Sequence, residues 1–453
     1  MKILVTGATG LIGKQLCSEL IKQDHQLVVV STRDEPRFRL DFTYPCEYLP
    51  WSRVNDLPRV DAVIHLAGDN ISEGRWSERK KNSILSSRID TTQALIESFE
   101  KNNRWPKTFI STSAIGIYGD RGDEFLTEES SAGLGFLADV CKSWEKVTAP
   151  LAAHSRLAIL RLGVVLDAKG GFLAKMEPIF SNGAGGRVGS GQQWLSWIHS
   201  QDLIEMFLYA LKTECVSGVY NAVAPEPVRN NHWAKAYAKQ LDVPCIFPVP
   251  ALALKAGLGE MAQIALASQN VVSAKIVQSG FQFRFSTLED ALKDLYSWKK
   301  SPGQRLFTSE QWLSQTREEV FPFFAKADNL ERITPPFLNF KILKSSTPEI
   351  ETGTLIDYRL KIHGVPIVWR TRIENWAPHQ SFVDNQLKGP YKLWHHTHSF
   401  VPVPNGTLMQ DHVIYELPMG WLGRIVAGSF VLKDVQAIFK YRTQVIQQLD
   451  GKL

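Results

Sequence analysis

The apolar positions fall into two regimes. Lys2 to Thr6 is a short apolar run of buried-strand length, and a turn of small residues follows it. A helical pattern then runs through Leu16, Leu20 and Ile21, and a second apolar run spans Gln26 to Val30. Further strand-like runs lie at Asp61 to Gly68, Thr108 to Ser113 and Ala158 to Val165, with helical segments between them. Strands alternating with helices predict an α/β, doubly wound parallel sheet. Ser301-Pro302-Gly303 breaks the chain after a helical segment around Leu288 to Trp298. Beyond it the alternation has period two. Strands are expected at Lys341 to Leu343, Thr354 to Ile362, Ile367 to Glu374, Gln380 to Gln386, Tyr391 to Val401 and Thr407 to Tyr415. Thr316-Arg317-Glu318-Glu319 forms a capping box, and Pro322 splits the adjoining apolar turns into a short or kinked helix pair. Leu422, Ile425, Val426, Leu432, Val435, Ile438, Phe439 and Leu449 recur at helical spacing in a long last helix. Short helices, antiparallel strands and one long final helix make an α+β helix-grip arrangement. The expected domains are 1–300, with a small substrate lobe at about 225–300, and 304–450.

The first turn reads Gly7-Ala8-Thr9-Gly10-Leu11-Ile12-Gly13. In a β-α-β unit, Gly7 permits the tight turn and Gly10 lets the backbone approach a pyrophosphate. Gly13 allows helix and strand to pack closely. The helix start, with Thr9, Leu11 and Ile12, presents free N–H groups to phosphate oxygens. Leu66-Ala67-Gly68 ends a strand in small residues, where backbone can lie against a cofactor. A carboxylate at the end of the second strand would bind the ribose hydroxyl of NAD, whereas an Arg accommodates a 2′-phosphate. Here the strand ends in Ser31-Thr32-Arg33, with Asp34 only afterwards. Two hydroxyls and a planar guanidinium favour NADP(H). The competing reading has Asp34 contact the ribose.

Composition narrows the class. The 453 residues are 44% hydrophobic, 21% charged and 10% aromatic, an ordinary folded protein with ample core. A balance of 51 basic against 46 acidic residues gives no case for nucleic acid. Five widely spaced cysteines form no C-x-x-C pair and fit a reducing, cytoplasmic setting. Met1-Lys2-Ile3-Leu4-Val5 runs straight into the glycine turn, so no signal or transit peptide is expected. The longest apolar stretch, Pro248 to Ala267, is interrupted by Lys255 and Glu260, which argues against a membrane span.

The first 300 residues resemble the extended short-chain dehydrogenases/reductases, and most closely their atypical NADP-binding "epimerase family" branch. The resemblance rests on Gly74-Arg75-Trp76, Tyr118-Gly119-Asp120-Arg121-Gly122-Asp123, Gly189-Ser190-Gly191-Gln192-Gln193-Trp194 and Ser196-Trp197-Ile198-His199. Asn221-Ala222-Val223-Ala224-Pro225 and Gly259-Glu260-Met261 extend it. It implies an NADP(H) site that includes Arg161, and a catalytic serine at Ser113 able to polarise a carbonyl. It also exposes a departure. The superfamily's Tyr-x-x-x-Lys falls near Leu137 and Cys141, neither of which can act as that pair. Tyr118 is the candidate substitute acid, and structural packing is the alternative. Arg187, Gln192, Trp194 and His199 are candidate substrate contacts on and beside a mobile glycine-rich loop. Arg79-Lys80-Lys81 reads as a solvated helix face.

Residues 304–450 are similar to the START-like (SRPBCC, polyketide cyclase/dehydrase) superfamily. Leu330-Glu331-Arg332-Ile333-Thr334-Pro335-Pro336, Gly389-Pro390-Tyr391, Trp394-His395-His396-Thr397-His398 and Asp411-His412-Val413 carry that likeness. It implies an apolar ligand, with Trp369, Trp376 and Trp394 either lining the cavity or forming plain core. His395, His396, His398 and His412 show only a histidine count, so no metal is assigned and pocket lining or cross-strand pairing is expected. The leading reading is an NADP(H)-dependent oxidoreductase or epimerase-like enzyme acting on a small molecule, with an appended hydrophobic-ligand domain. The alternative is a non-catalytic NADP(H)-binding regulator or scaffold, which the resemblance links to cell division. Neither the substrate nor the oligomeric state is legible in the pattern.

Overall fold

The computed structural model describes residues 1–451, apart from the side chains of 421–427 and 429. It divides into two compact units. One comprises Met1–Leu20, His25–Phe38 and Cys46–Ser297, and the other Ile21–Asp24, Arg39–Pro45 and Trp298–Leu453.

The first unit is built on β1 (Lys2–Thr6), β2 (Gln26–Ser31), β3 (Glu47–Pro50), β4 (Ala62–His65), β5 (Thr108–Ala114), β6 (Arg156–Leu162) and β7 (Gly218–Ala222). All pair in parallel, in the order β7-β6-β5-β4-β1-β2-β3. Leu4, Val28, Val63 and Phe109 are fully or almost fully buried in that sheet's core, as central parallel strands require. Helices α1 (Leu11–Lys22), α2 (Glu35–Asp41), α3 (Glu78–Asn102), α4 (Phe136–Thr148), α5 (Ser200–Lys212) and α6 (Asn230–Leu241) accompany it. The chain leaves β1 for β2 on one side and reaches β4 on the other, so the strand order reverses at β1. In open α/β sheets the crevice beyond the carboxyl ends at that switch point is where ligands bind. Gly7 and Leu66 to Gly68 lie there.

The second unit is an antiparallel sheet of β8 (Gln304–Leu313), β9 (Lys341–Ser345), β10 (Leu355–Ile362), β11 (Val365–Ala377), β12 (Ser381–Lys388), β13 (Leu393–Val403) and β14 (Gly406–Glu416). Its order is β8-β14-β13-β12-β11-β10-β9. Helix α7 (Arg317–Phe324) opens on the expected Thr316–Glu319 capping box, and a separate short helix spans Asp328–Arg332. The long helix α8 (Gly420–Leu449) packs Val435, Phe439 and Ile446 inward. Leu422, Ile425 and Val426 lie outside the described side chains. Phe321, Phe324, Trp369, Phe382, Phe400 and Met409 fill the interior, with Trp376 and Trp394 partly buried beside them. This is a helix-grip architecture. Strand β8 was not expected from the pattern. Its six residues Arg305 to Glu310 are all half-buried, so no clean alternation marks it. Among the described residues, no helix is long and apolar enough to cross a membrane.

Candidate functional site

The glycine turn closes on itself. The Gly10 amide donates to the Gly7 carbonyl at 3.0 Å. Gly7 has φ +68°, and a Cβ there would fall 2.8 Å from the Leu66 backbone. A Cβ on Gly13 would fall 2.3 Å from Gly7 O. Gly10 is exposed, and a Cβ there would meet only Gly7 O, at 3.2 Å. The turn therefore needs Gly7 and Gly13 for its own packing and leaves Gly10 open to a ligand. Thr9 and Ile12 are half-buried beside it, and Leu11 packs under Gly170 and Gly171. No acidic residue occupies the first turn of α1, so its positive dipole end stays available to phosphate.

Thr6 ties the crevice together. Its hydroxyl accepts from the Leu66 and Ala67 amides, both at 3.2 Å, and lies 2.7 Å from His65 Nδ1. His65 Nε2 lies 3.0 Å from the Thr92 hydroxyl. Burial, with the nearby Arg88 charge, lowers the His65 pKa to about 3, so this ring is a neutral structural bridge between β1, β4 and α3.

At the end of β2, Ser31 is half-buried and Thr32, Arg33 and Asp34 are exposed. Ser31 Oγ accepts from the Arg33 amide, and the Tyr48 hydroxyl donates to the Arg33 carbonyl. Asp34 is already in use. Its carboxylate accepts from the Arg37 amide at 2.9 Å and pairs with the Arg37 side chain at 3.5 Å, at the start of α2.

Ser113 lies near the carboxyl end of β5, 2% exposed, and its hydroxyl has no nitrogen or oxygen partner and faces the Cys141 thiol. Beside it is the Cys141 thiol, pushed up to about 11 by burial and also facing the Ala114 backbone. A Cβ on Gly116 would meet Leu137 Cβ at 3.3 Å and Cys141 Sγ at 3.9 Å. Leu137 and Cys141 thus face the Ser113–Gly116 segment from α4. Sequence reasoning missed Arg88. Its guanidinium would lie 3.0 Å from a Cβ on Gly68, donates to the Asp69 and Ile84 carbonyls, and sits over the Trp144 ring. Nothing in the sequence marks it, because it lies on the otherwise polar α3 repeat.

Two further candidates stand close by but turn to other partners, Arg161 as the cross-strand neighbour of Ser113. Tyr118 is fully buried, donates to Asn221 Oδ1 at 2.7 Å and accepts from Arg161 at 2.8 Å. Burial raises its pKa. Arg161, which the resemblance assigned to the cofactor, makes a bidentate pair with Glu145 at 2.8–2.9 Å and also donates to the Glu128 carbonyl. Burial works against its charge, and the Glu145 pair more than offsets that. Both side chains are committed to a core polar network, because a buried guanidinium needs its carboxylate.

The substrate-side expectations change as well. The glycine-rich loop is pinned: Gly189 donates to Val249 O and Val249 to Arg187 O. A Cβ on Gly186 would strike Phe247 O. A cleft of about 260 Å³ beside it is lined by Arg187, Lys235, Phe247 and neighbours. Trp194 donates to Asp123, over which Arg229 also reaches while stacking on the indole at 4.0 Å. Gln192 contributes its carbonyl to Arg229. His199 caps α5 by accepting from the Gln201 amide, stacks on Phe285, and is lowered to about 4 by burial. Lys80 and Lys81 are not simply solvated, since they pair with Asp69 at 2.8 Å and Glu260 at 2.6 Å.

Comparison with known proteins agrees with this geometry. Residues 3–135 match the NAD dependent epimerase/dehydratase family, and residues 249–295 match a domain of unknown function, DUF1731. Epimerase family protein YfhF of Bacillus subtilis is 36% identical over 305 residues, 66% of this chain and 100% of its own. The chloroplastic epimerase family protein SDR39U1 homolog of Arabidopsis thaliana is 36% identical over 304 residues, 65% of this chain and 86% of its own. The crystal structure of human epimerase family protein SDR39U1 (isoform 2) with NADPH aligns with TM-score 0.60 at 30% identity. It covers 66% of this chain and 99% of that one. The chain belongs to the epimerase family, and its first unit carries the dinucleotide site typical of that family, followed by a distinct C-terminal unit.

Proposed function

We propose that the first unit is an NADP(H)-dependent oxidoreductase or epimerase-like enzyme acting on a small molecule. The observation that carries the catalytic reading is the buried Ser113 hydroxyl at the end of β5, which has no nitrogen or oxygen partner and faces only the Cys141 thiol. A thiol sulfur is a weak acceptor, so most of that hydroxyl's hydrogen-bonding capacity stays open, and a substrate carbonyl would satisfy it. A bound dinucleotide would supply or accept hydride. Gly7, Thr9, Gly10, Leu11, Ile12 and Gly13 would seat its pyrophosphate, Leu66 to Gly68 would lie along it, and Ser113 would orient and polarise the substrate. The NADP(H) preference rests on Ser31, Thr32 and Arg33 at the end of β2, with Asp34 held as the α2 cap. The NADPH carried by the human relative supports it. The committed contacts of Tyr118 and Arg161 favour structural roles for both.

For the second unit we propose a START-like module that receives an apolar ligand between its sheet and α8. A cytoplasmic setting fits the five free thiols.

A second reading, an NADP(H)-binding regulator without turnover, is favoured by Leu137 and Cys141 facing Ser113–Gly116. Turnover decides between them. An enzyme oxidises NADPH, or exchanges its hydride, with some member of a carbonyl panel, and Ser113→Ala abolishes this while NADPH still binds. A regulator shows no turnover and captures a partner only when NADPH is present.

A further inference from the structure

The inner face of the second unit carries a buried polar cluster that the apolar-ligand reading does not need. His396 and His398 are both 3% exposed, and Asp411 is 6% exposed. They lie two residues apart on β13 and opposite on β14, with the register pairing Asp384 to His396 and His398 to Asp411. The strand period places His412 on the opposite, exposed face. Asp411 Oδ1 lies 3.0 Å from His396 Nε2 and 2.8 Å from His398 Nδ1. Arg442, buried on α8, places its positive charge by Asp411. Asp411 thus stands behind both rings, and of the two contacts the one to His396 has hydrogen-bond geometry.

The other two ring nitrogens face Asp384. His396 Nδ1 lies 3.4 Å and His398 Nε2 3.6 Å from Asp384 Oδ2. One potential ligand atom from each of Asp384, His396 and His398 lies within 4.8 Å of the others. A divalent cation between them would use both nitrogen lone pairs and the carboxylate charge. Ligands at about 2.0–2.1 Å from a tetrahedral ion stand about 3.3–3.4 Å apart, close to the two distances from Asp384 Oδ2. A carboxylate hydrogen-bonded behind a ligating imidazole is the second-shell arrangement that orients metal-bound histidines, and Asp411 holds that place behind His396.

The geometry points to a first-row divalent metal site, held by Asp384 Oδ2, His396 Nδ1 and His398 Nε2 and oriented by Asp411. Its nitrogen-rich donor set suits zinc, with ferrous iron and cobalt able to substitute. Three protein ligands leave a position for water or for an oxygen of a ligand inside the grip. With Asp384, Asp411 and Arg442 counted, a divalent ion leaves the cluster one positive charge in excess. The open position therefore takes an anionic oxygen: hydroxide, or the carboxylate, enolate or phenolate of an otherwise apolar molecule. The inference stands apart from the dinucleotide site and does not depend on turnover there.

The test uses the full chain, tag removed and stripped with a chelator, titrated with Co²⁺ alone. The expected result is one ion per chain, visible d–d absorption and a Kd below about 1 µM. Asp384→Asn and His398→Gln lose the absorption. Asp411→Asn weakens binding by about 10- to 100-fold, and His412→Gln binds as wild type. Circular dichroism confirms that each variant is folded. A folded wild-type chain that takes up no Co²⁺ overturns the site, as does equal binding by wild type and by folded Asp384→Asn.

Discussion

Replacing Gly13 with Ala and Gly10 with Ala separates a glycine the fold needs from one the ligand needs. At Gly13 the new carbon falls 2.3 Å from Gly7 O and 2.7 Å from Ala8 Cα, both backbone atoms. That is about 1 Å inside ordinary contact, and no side-chain rotation relieves it. The N-terminus of α1 must move off the β1 turn, which costs about 1–3 kcal/mol by the scale of core overpacking. For a unit of this size the melting temperature falls by about 2–12 °C. At Gly10 the new carbon meets only Gly7 O at 3.2 Å, so the stability cost is about 1 kcal/mol or less. Yet it fills the space over which a pyrophosphate approaches, so dinucleotide affinity falls at least about tenfold, or 1.4 kcal/mol. Differential scanning calorimetry without ligand reads the first effect, and isothermal titration with NADPH reads the second. Gly13→Ala should fail both and Gly10→Ala only the second. Wild-type affinity in Gly10→Ala would refute the seating of the pyrophosphate, and an unchanged melting temperature in Gly13→Ala would refute the packing.

The buried network makes two further outcomes measurable. Folding lowers the His65 pKa from 6.5 to about 3. Between those values the unfolded chain holds a proton that the folded chain does not, so the His65 contribution is complete above about pH 6.5 and lost as pH falls toward 3. It amounts to about 2 kcal/mol between pH 6.5 and 5, and His65→Gln should flatten the slope of unfolding free energy over that window by about one proton. An unchanged slope would contradict the buried neutral ring. Arg161→Met leaves Glu145 without its partner and should cost about 3–5 kcal/mol in denaturant unfolding, with Tyr118→Phe costing about 1–3 kcal/mol. Tyr118→Phe, having lost only core hydrogen bonds, should keep any turnover the wild type shows. Abolished turnover in a stably folded Tyr118→Phe would return that residue to the reaction.

The fold was legible where local pattern and chemistry coincide. Gly7, Gly10 and Gly13 fall between an apolar run and a helical one, and the β-α-β unit forms there because those glycines have no Cβ to clash. The period-two runs of the last third became strands within a few residues of their expected ends. Strand β8 escaped because Arg305 to Glu310 are half-buried throughout and give no period to read. Side-chain partnerships across long separations were not legible. Arg161 meets Glu145 only once α4 packs against the sheet, and Asp384 and Asp411 meet His396 and His398 only in one register. A slip of one residue would turn either strand's set to the other face, so a histidine count alone could not find the cluster, and it drew His412 in wrongly.

The proposed NADP(H) preference of the first unit rests on Ser31, Thr32 and Arg33. Isothermal titration of the wild-type chain and of Arg33→Ala with NADPH and with NADH tests it most directly. A charge-assisted contact of about 1.5–3 kcal/mol to the 2′-phosphate predicts NADPH tighter than NADH by about 10- to 100-fold in wild type. That ratio should collapse toward unity in Arg33→Ala. NADH binding as tightly as NADPH, or a preference that survives Arg33→Ala, would contradict the account.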